Sequence, residues 1–256
     1  MTQRLSGRTA LVTGSTSGIG RAIAEAFAAE GAHVVVSGRR AGLGAEVVDG
    51  IKQRGGSAAF VEADLSGGAE KVAEFARAAS AAAGGKVDIL VNNAAQLVPA
   101  TATMDTTEAI IDQSLEVNVK APLLVTAALV PAMIAGGGGA VINIGSINGT
   151  TGMAGAALYG ATKAALHSLT KSWAAEFGRQ GVRVNTVAPG PTETEWNAQH
   201  RDLLALLVAG VPSGRTSRAA EVAAAVVFLA SDEASHVHGT TIAVDGGMAA
   251  ALRSNT

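Results

Sequence analysis

The chain has 256 residues, 48% hydrophobic, 16% charged and 3% aromatic, with a formal net charge of −2. That length suits one α/β domain spanning 1–256, and the near-neutral balance, without a basic stripe or acidic block, argues against nucleic acid and anionic membranes as partners. The absence of cysteine excludes disulfides and thiolate chemistry, and no signal-peptide core or run of about 20 apolar residues stands out, so a soluble, cytoplasmic protein is expected.

Short β-rich apolar runs alternate with longer Ala-rich helical stretches. The strands read Thr9–Thr13, Ala32–Ser37, Ala58–Glu62, Ile89–Asn93, Ala140–Gly145, Val182–Val187 and Thr240–Val244. Several are apolar on successive residues, as suits strands covered on both faces. Helical patterns fall between them at Ile19–Glu30, Gly42–Arg54, Ala69–Ala83, Thr106–Ala135, Ala157–Gly178 and Ala219–Ala230. Strand–helix–strand repetition predicts right-handed crossovers and a doubly wound sheet. Gly136–Gly139 reads as a flexible connection rather than a domain boundary.

The first strand runs into Thr13-Gly14-Ser15-Thr16-Ser17-Gly18-Ile19-Gly20. A glycine-rich turn between a strand and a helix lets backbone N–H groups approach a pyrophosphate, and the helix N-terminus favours its charge. The second strand ends in Gly38-Arg39-Arg40, where NAD-binding chains often carry an acid for the ribose 2′-hydroxyl. Guanidinium groups instead suit a 2′-phosphate. NADP(H) is therefore expected, with Arg39 the main contact and Arg40 secondary; NAD(H) is possible, and either arginine can be read as a solvated loop charge. Asp64-Leu65 after the third strand can meet the adenine, or Asp64 can serve as a helix N-cap. Asn92-Asn93-Ala94-Ala95 ends the fourth strand, with small residues leaving room for ribose and amides able to tie strands. Asn118 sits in a helical pattern, as a structural hydrogen-bonder or part of a site.

Ser146 follows the fifth strand at the sheet's carboxyl edge, where doubly wound folds bind ligands. Tyr159 and Lys163 lie four apart, on one face of a helix. A free phenol titrates near 10, and a nearby ammonium stabilises the phenolate, so the pair reads as a proton-transfer device for an alcohol or carbonyl. A surface neighbour pair is the bland alternative, countered by the motifs upstream. Pro189-Gly190-Pro191-Thr192 ends the sixth strand at the same edge.

From Arg8 to Gly247 the chain resembles the short-chain dehydrogenase/reductase family. The resemblance rests on Thr13–Gly20, Asn92–Ala95, Asn118, Ser146, Tyr159 with Lys163, Pro189-Gly190 and Val244-Asp245-Gly246-Gly247. It implies a Rossmann-type domain with a seven-stranded parallel sheet, assembled as a homotetramer or homodimer. It also implies roles. Tyr159 exchanges the proton, and Lys163 lowers its pKa and binds the nicotinamide ribose. Ser146 polarises the substrate oxygen, and Asn118 keeps a relay water beside Lys163. The cofactor contacts implied are Gly14, Thr16, Ser17, Gly18, Ile19, Gly20, Arg39, Arg40, Asp64, Leu65, Asn92, Ala94, Tyr159, Lys163, Pro189, Gly190 and Thr192. No metal is implied. The activity implied is NADP(H)-dependent hydride transfer between nicotinamide and a ketone or secondary alcohol. A 3-oxoacyl thioester or a sugar, polyol or cyclic alcohol is the substrate. An NAD-dependent alcohol or sugar dehydrogenase and a non-catalytic nucleotide sensor are the alternatives.

Two residues depart from the family pattern: Ala95 stands where glycine is usual, and Gly145 replaces a serine commonly found before the catalytic one. The stretch 191–213 is where the family builds its substrate lid. Trp196 can pack over substrate or anchor the lid. Leu203, Leu204, Leu206, Leu207 and Val208 can line an apolar pocket or pack the lid. His200 and Arg201 can meet an acidic group but read better as solvated charges. His236 and His238 read as surface residues, and His167 as a satisfied histidine at a subunit interface.

Overall fold

A computed structural model describes residues 3–98, 100–195 and 197–251, apart from the side chains of His200 and Arg201. In strand β1 (Thr9–Val12), Ala10 and Val12 join one apolar cluster while Leu11 joins another on the opposite face. Strand β2 (His33–Gly38) splits the same way, with Val34 and Val36 against Val35. Side chains alternate across a strand, so continuous apolar runs require cover on both faces.

That cover comes from helices in two layers. Helices α1 (Gly18–Ala29) and α2 (Ala41–Gln53) supply Ile23, Phe27, Val47 and Ile51 to the first cluster. Helix α3 (Gly68–Ala82) supplies Val72 and Phe75 to the second. Strands β3 (Ser57–Glu62), β4 (Ile89–Asn92), β5 (Gly139–Ile144) and β6 (Val182–Pro189) continue the sheet. A two-residue ladder joins β7 (Thr192–Glu193) to β8 (Ser217–Arg218) at the base of the lid. With β9 (Thr241–Val244), the main sheet has seven strands, all parallel, in the order β3-β2-β1-β4-β5-β6-β9. The order reverses between β1 and β4, and ligands bind outside the carboxyl ends of strands at such a point.

The expected helix from Thr106 is in fact three pieces. Helix α4 (Glu108–Leu115) starts where the Thr107 hydroxyl accepts the Ile110 N–H. A π-helical turn at Glu116–Lys120 follows, and α5 (Ala121–Ala135) continues the axis. The cause is Pro122, which has no N–H to offer the Asn118 carbonyl four residues back. The turn widens, and the Ala121 N–H reaches Glu116 instead. Glu108–Ala135 is also long and apolar enough to cross a membrane by composition, contrary to the expectation that no stretch qualifies. Its apolar residues have another use: Val125, Leu129, Val130 and Met133 are buried in the second core cluster.

Helix α6 (Ala157–Phe177) carries Trp173 into the same cluster. Lid helix α7 (Arg201–Val208) precedes α8 (Ala219–Ala230), which packs Val222, Val226 and Leu229 into the first cluster. Arg183 of β6 donates to the carbonyls of Leu229, Ala230 and Ser231 at 2.6–3.3 Å, capping α8 with a cation. No local pattern announces that cap.

Candidate active site

A cleft of about 530 Å³ opens along the carboxyl edge, from the β1–α1 turn past Arg39, Arg40 and Asp64 to Ser146, Tyr159 and Lys163. Gly14 has φ +64°, and a side chain there would press 2.8 Å from the Ala94 Cα, so the turn and the end of β4 close only around glycine. Asn93 fastens that approach: its Nδ2 donates to the carbonyls of Thr13 and Gly14 at 2.8 and 3.0 Å. Thr16, Ser17, Gly18, Ile19 and Gly20 line the cleft beside it.

At the end of β2, Arg40 Nη2 donates to the Ser17 hydroxyl at 3.2 Å, and Arg39 lines the same wall. Arg40, expected as the secondary contact, is the arginine tied to the glycine turn. Asp64 is no helix cap, because α3 begins at Gly68 behind Gly67. Its Oδ1 accepts the N–H and hydroxyl of Ser66 at 3.1 and 2.6 Å, and these bonds hold its carboxyl below the usual range. Leu65 and Ala94 line the cleft with it. Ala95, where glycine is usual, is exposed and lines the cleft.

Asn92 does not face the cleft. It is buried, donating to Thr126 Oγ1 at 3.1 Å and Asn143 Oδ1 at 2.9 Å. Asn143 passes the chain to Thr170, and Thr170 bonds Thr186, so the amides tie β4, β5 and β6 through α6. Strand parity carries the signal: Asn92 shares its face with Leu90, which belongs to the second cluster. Asn118 is also buried behind the cleft wall. Its Oδ1 accepts the Gln96 N–H at 2.7 Å, and its Nδ2 donates to Gln96 O at 3.1 Å and Thr162 Oγ1 at 3.2 Å. These bonds commit its side chain, and Pro122 has no N–H to offer its carbonyl.

Ser146 follows β5, where its Oγ accepts the Asn148 N–H at 3.2 Å and its hydroxyl hydrogen-bonds Tyr159. Lys163 is buried on the next turn of α6, with Nζ donating to Ile144 O at 2.8 Å and lying 5.7 Å from the Tyr159 ring centre. Burial pushes its ammonium down to about 8. The expected lowering of Tyr159 by Lys163 is not what results: burial raises the phenol above its ordinary value, and the Ser146 bond opposes this in part. Pro189, Gly190 and Thr192 line the cleft opposite, with Thr192 Oγ1 donating to Gly190 O at 3.0 Å.

The lid reaches back over the glycine turn. Glu195 Oε2 accepts the Gly18 N–H at 3.0 Å, an amide at the start of α1. Asn197 braces the segment through the Thr194 N–H and Thr192 O. In α7, Leu203 and Leu206 are exposed and Val208 is buried, so the apolar residues of the lid do not form one pocket wall. Trp196 and the side chains of His200 and Arg201 lie outside the described residues. His236 and His238 are exposed, whereas His167 is buried within the chain with neither ring nitrogen bonded, not a satisfied histidine.

A Rossmann sheet, a glycine turn and a Tyr–Lys pair at the switch point define an NAD(P)-dependent oxidoreductase. Residues 14–249 match the family model described as enoyl-(acyl carrier protein) reductase. A solved short chain dehydrogenase/reductase family protein superposes with a TM-score of 0.89 at 46% identity, covering 97% of this chain and 100% of that one. The 3-oxoacyl-[acyl-carrier-protein] reductase of Escherichia coli K12 is 40% identical over 243 residues, 94% of this chain and 97% of its own. The 3-oxoacyl (acyl-carrier-protein) reductase of Agrobacterium tumefaciens C58, solved with NADP bound, gives a TM-score of 0.90 at 37% identity, with 96% and 95% covered. The chain belongs to the short-chain dehydrogenase/reductase family.

Proposed function

We propose that the protein is an NADP(H)-dependent ketone reductase acting on a 3-oxoacyl thioester. The residues present fit the cofactor: Gly14 to Gly20 form a close-approach turn at a helix start, and Arg39 and Arg40, rather than an acid, follow β2 beside it. Bound there, the nicotinamide supplies the hydride. The chain supplies the rest. Ser146 holds the carbonyl oxygen, and the Tyr159 hydroxyl donates its proton to that oxygen as the alcohol forms. Lys163, near its own titration point at neutral pH, returns a proton towards Tyr159, fed by a water on the Asn118 carbonyl.

One observation favours a thioester over a sugar acid. At the reacting end the wall is Gln96, Leu97, Gln113, Val117 and Asn197, with Lys163 the one cation among the described lining residues there. Among those described residues a substrate carboxylate would find only Lys163, whose Nζ is bonded to Ile144 O, whereas a thioester needs no counter-ion. Steady-state rates with NADPH and acetoacetyl-coenzyme A, set against NADP with gluconate and with a cyclic alcohol, test the reading. The thioester should give the highest kcat/KM; a preference for gluconate overturns the substrate class. Exposed Ile111, Leu115 and Leu123 along α4 and α5 support assembly as a homotetramer or homodimer.

A further inference from the structure

His167 is the buried titratable group that the chemistry above leaves unused. It lies one turn beyond Lys163 on α6, 6% exposed, and among the described residues neither ring nitrogen has a hydrogen-bond partner. Native interiors rarely leave such atoms unpaired, so the ring is held there for its shape or its neighbours. Its neighbours are two glycines that bracket Ser146. A side chain begun at Gly145 would run into the ring at Nε2. One begun at Gly149 would meet Cε1 at 2.7 Å and Nδ1 at 2.9 Å. Both glycines belong to the backbone that presents Ser146: the Gly145 N–H donates to Val187 O at 2.8 Å, and the Gly149 N–H closes the turn on Ser146 O at 2.9 Å. The ring therefore fills the volume where a serine at 145 would place its side chain, beside Thr186 Cγ2, which borders the same space.

We propose that His167 is a positioning residue for the reaction, its ring seated against Gly145 and Gly149 so as to fix the turn that delivers the Ser146 hydroxyl to Tyr159. The departure at Gly145 and the histidine at 167 are one feature seen from two elements: a small residue on the strand end and a large ring on the helix. The charged groups bearing on the ring are Lys163 and Lys171, both cations, and burial adds to them, so the ring is held neutral. The proposal rests on the reading of Ser146 and Tyr159 as the reacting pair. Its test needs neither turnover nor cofactor, so failure of the substrate class leaves it intact.

Tyr159 is the sole tyrosine of the chain, so tyrosinate absorbance after a rapid pH jump reports its ionisation alone. The Ser146 bond lowers the Tyr159 pKa, and a loosened turn weakens that bond. His167→Ala should raise the Tyr159 midpoint by about 0.5 pH unit or more. His167→Leu keeps the volume without the nitrogens and should leave the midpoint at the wild-type value. On a Ser146→Ala background, His167→Ala should add nothing, because the bond it acts through is gone. A ring that only fills space would lower the melting temperature of the alanine variant and leave the Tyr159 midpoint within about 0.1 unit, and that result overturns the proposal. An equal shift with and without Ser146 overturns it too.

Discussion

The carboxylate of Glu195 accepts the backbone N–H of Gly18 at 3.0 Å, across 177 residues of chain. That amide opens α1, where the glycine turn of a Rossmann fold receives a pyrophosphate. A lid carboxylate therefore holds the positive helix end that a bound pyrophosphate would need. Glu195→Gln removes the charge and should tighten NADPH by about three- to tenfold in a fluorescence titration at low salt. Adenosine 2′-monophosphate, which has no pyrophosphate, should bind as before. Unchanged or weaker NADPH binding contradicts that overlap.

Arg39 and Arg40 line the cleft after β2, and Arg40 is already steadied by Ser17. Arg39→Ala should weaken NADPH by about tenfold or more and leave NADH within about twofold. Arg40→Ala should weaken NADPH as well, since it removes a charge and frees Ser17. Equal losses for both cofactors would assign the arginines to general electrostatics instead.

Lys163 makes stability depend on pH in a definite direction. Its folded value of about 8 lies below the ordinary 10.5, so the neutral amine's contribution is complete above 10.5 and is lost as pH falls through 8. Unfolding free energy of the wild type should therefore rise between pH 8 and 10.5, by something on the order of 3 kcal/mol. Lys163→Met should lack that rise in chemical denaturation run in parallel. A variant whose pH slope matches the wild type would mean the ammonium is better solvated than its burial implies.

His167 acts at the acid end. Its folded value is lowered below the ordinary 6.5 by burial, then by Lys163 and Lys171. Its stabilising contribution is complete above 6.5 and is lost as pH falls towards the folded value. The wild type should lose stability below pH 6.5 more steeply than His167→Leu, measured by urea unfolding between about pH 7 and pH 5. Parallel curves would show that protonating the ring costs nothing in the folded chain.

The sheet was legible because its strands are apolar on successive residues, a pattern that only two-sided burial permits. Tyr159, Lys163 and Ser146 were legible because helix periodicity and strand ends fix where such residues meet. Asn92 could be read as a strand tie or a cofactor contact; its amide ties β4 to β5, as strand parity with Leu90 already indicates. The π turn was hidden in a continuous apolar pattern, although Pro122 signals the lost bond to Asn118. Glu195 on Gly18, Arg183 on α8 and His167 against Gly145 bring together residues far apart in sequence, and no local pattern encodes them. The pKa of Tyr159 depends on how far burial outweighs a neighbouring charge, which spacing alone does not state.

In the proposed reaction, Tyr159 supplies the proton for an NADPH-dependent ketone reduction. NADPH oxidation with acetoacetyl-coenzyme A, compared between wild type and Tyr159→Phe, tests it most directly. In the phenylalanine variant kcat should fall by about 100-fold or more while the NADPH Kd stays within about threefold. A phenylalanine variant that keeps kcat within about tenfold of wild type would contradict it, and would move the proton donor to another group in the cleft.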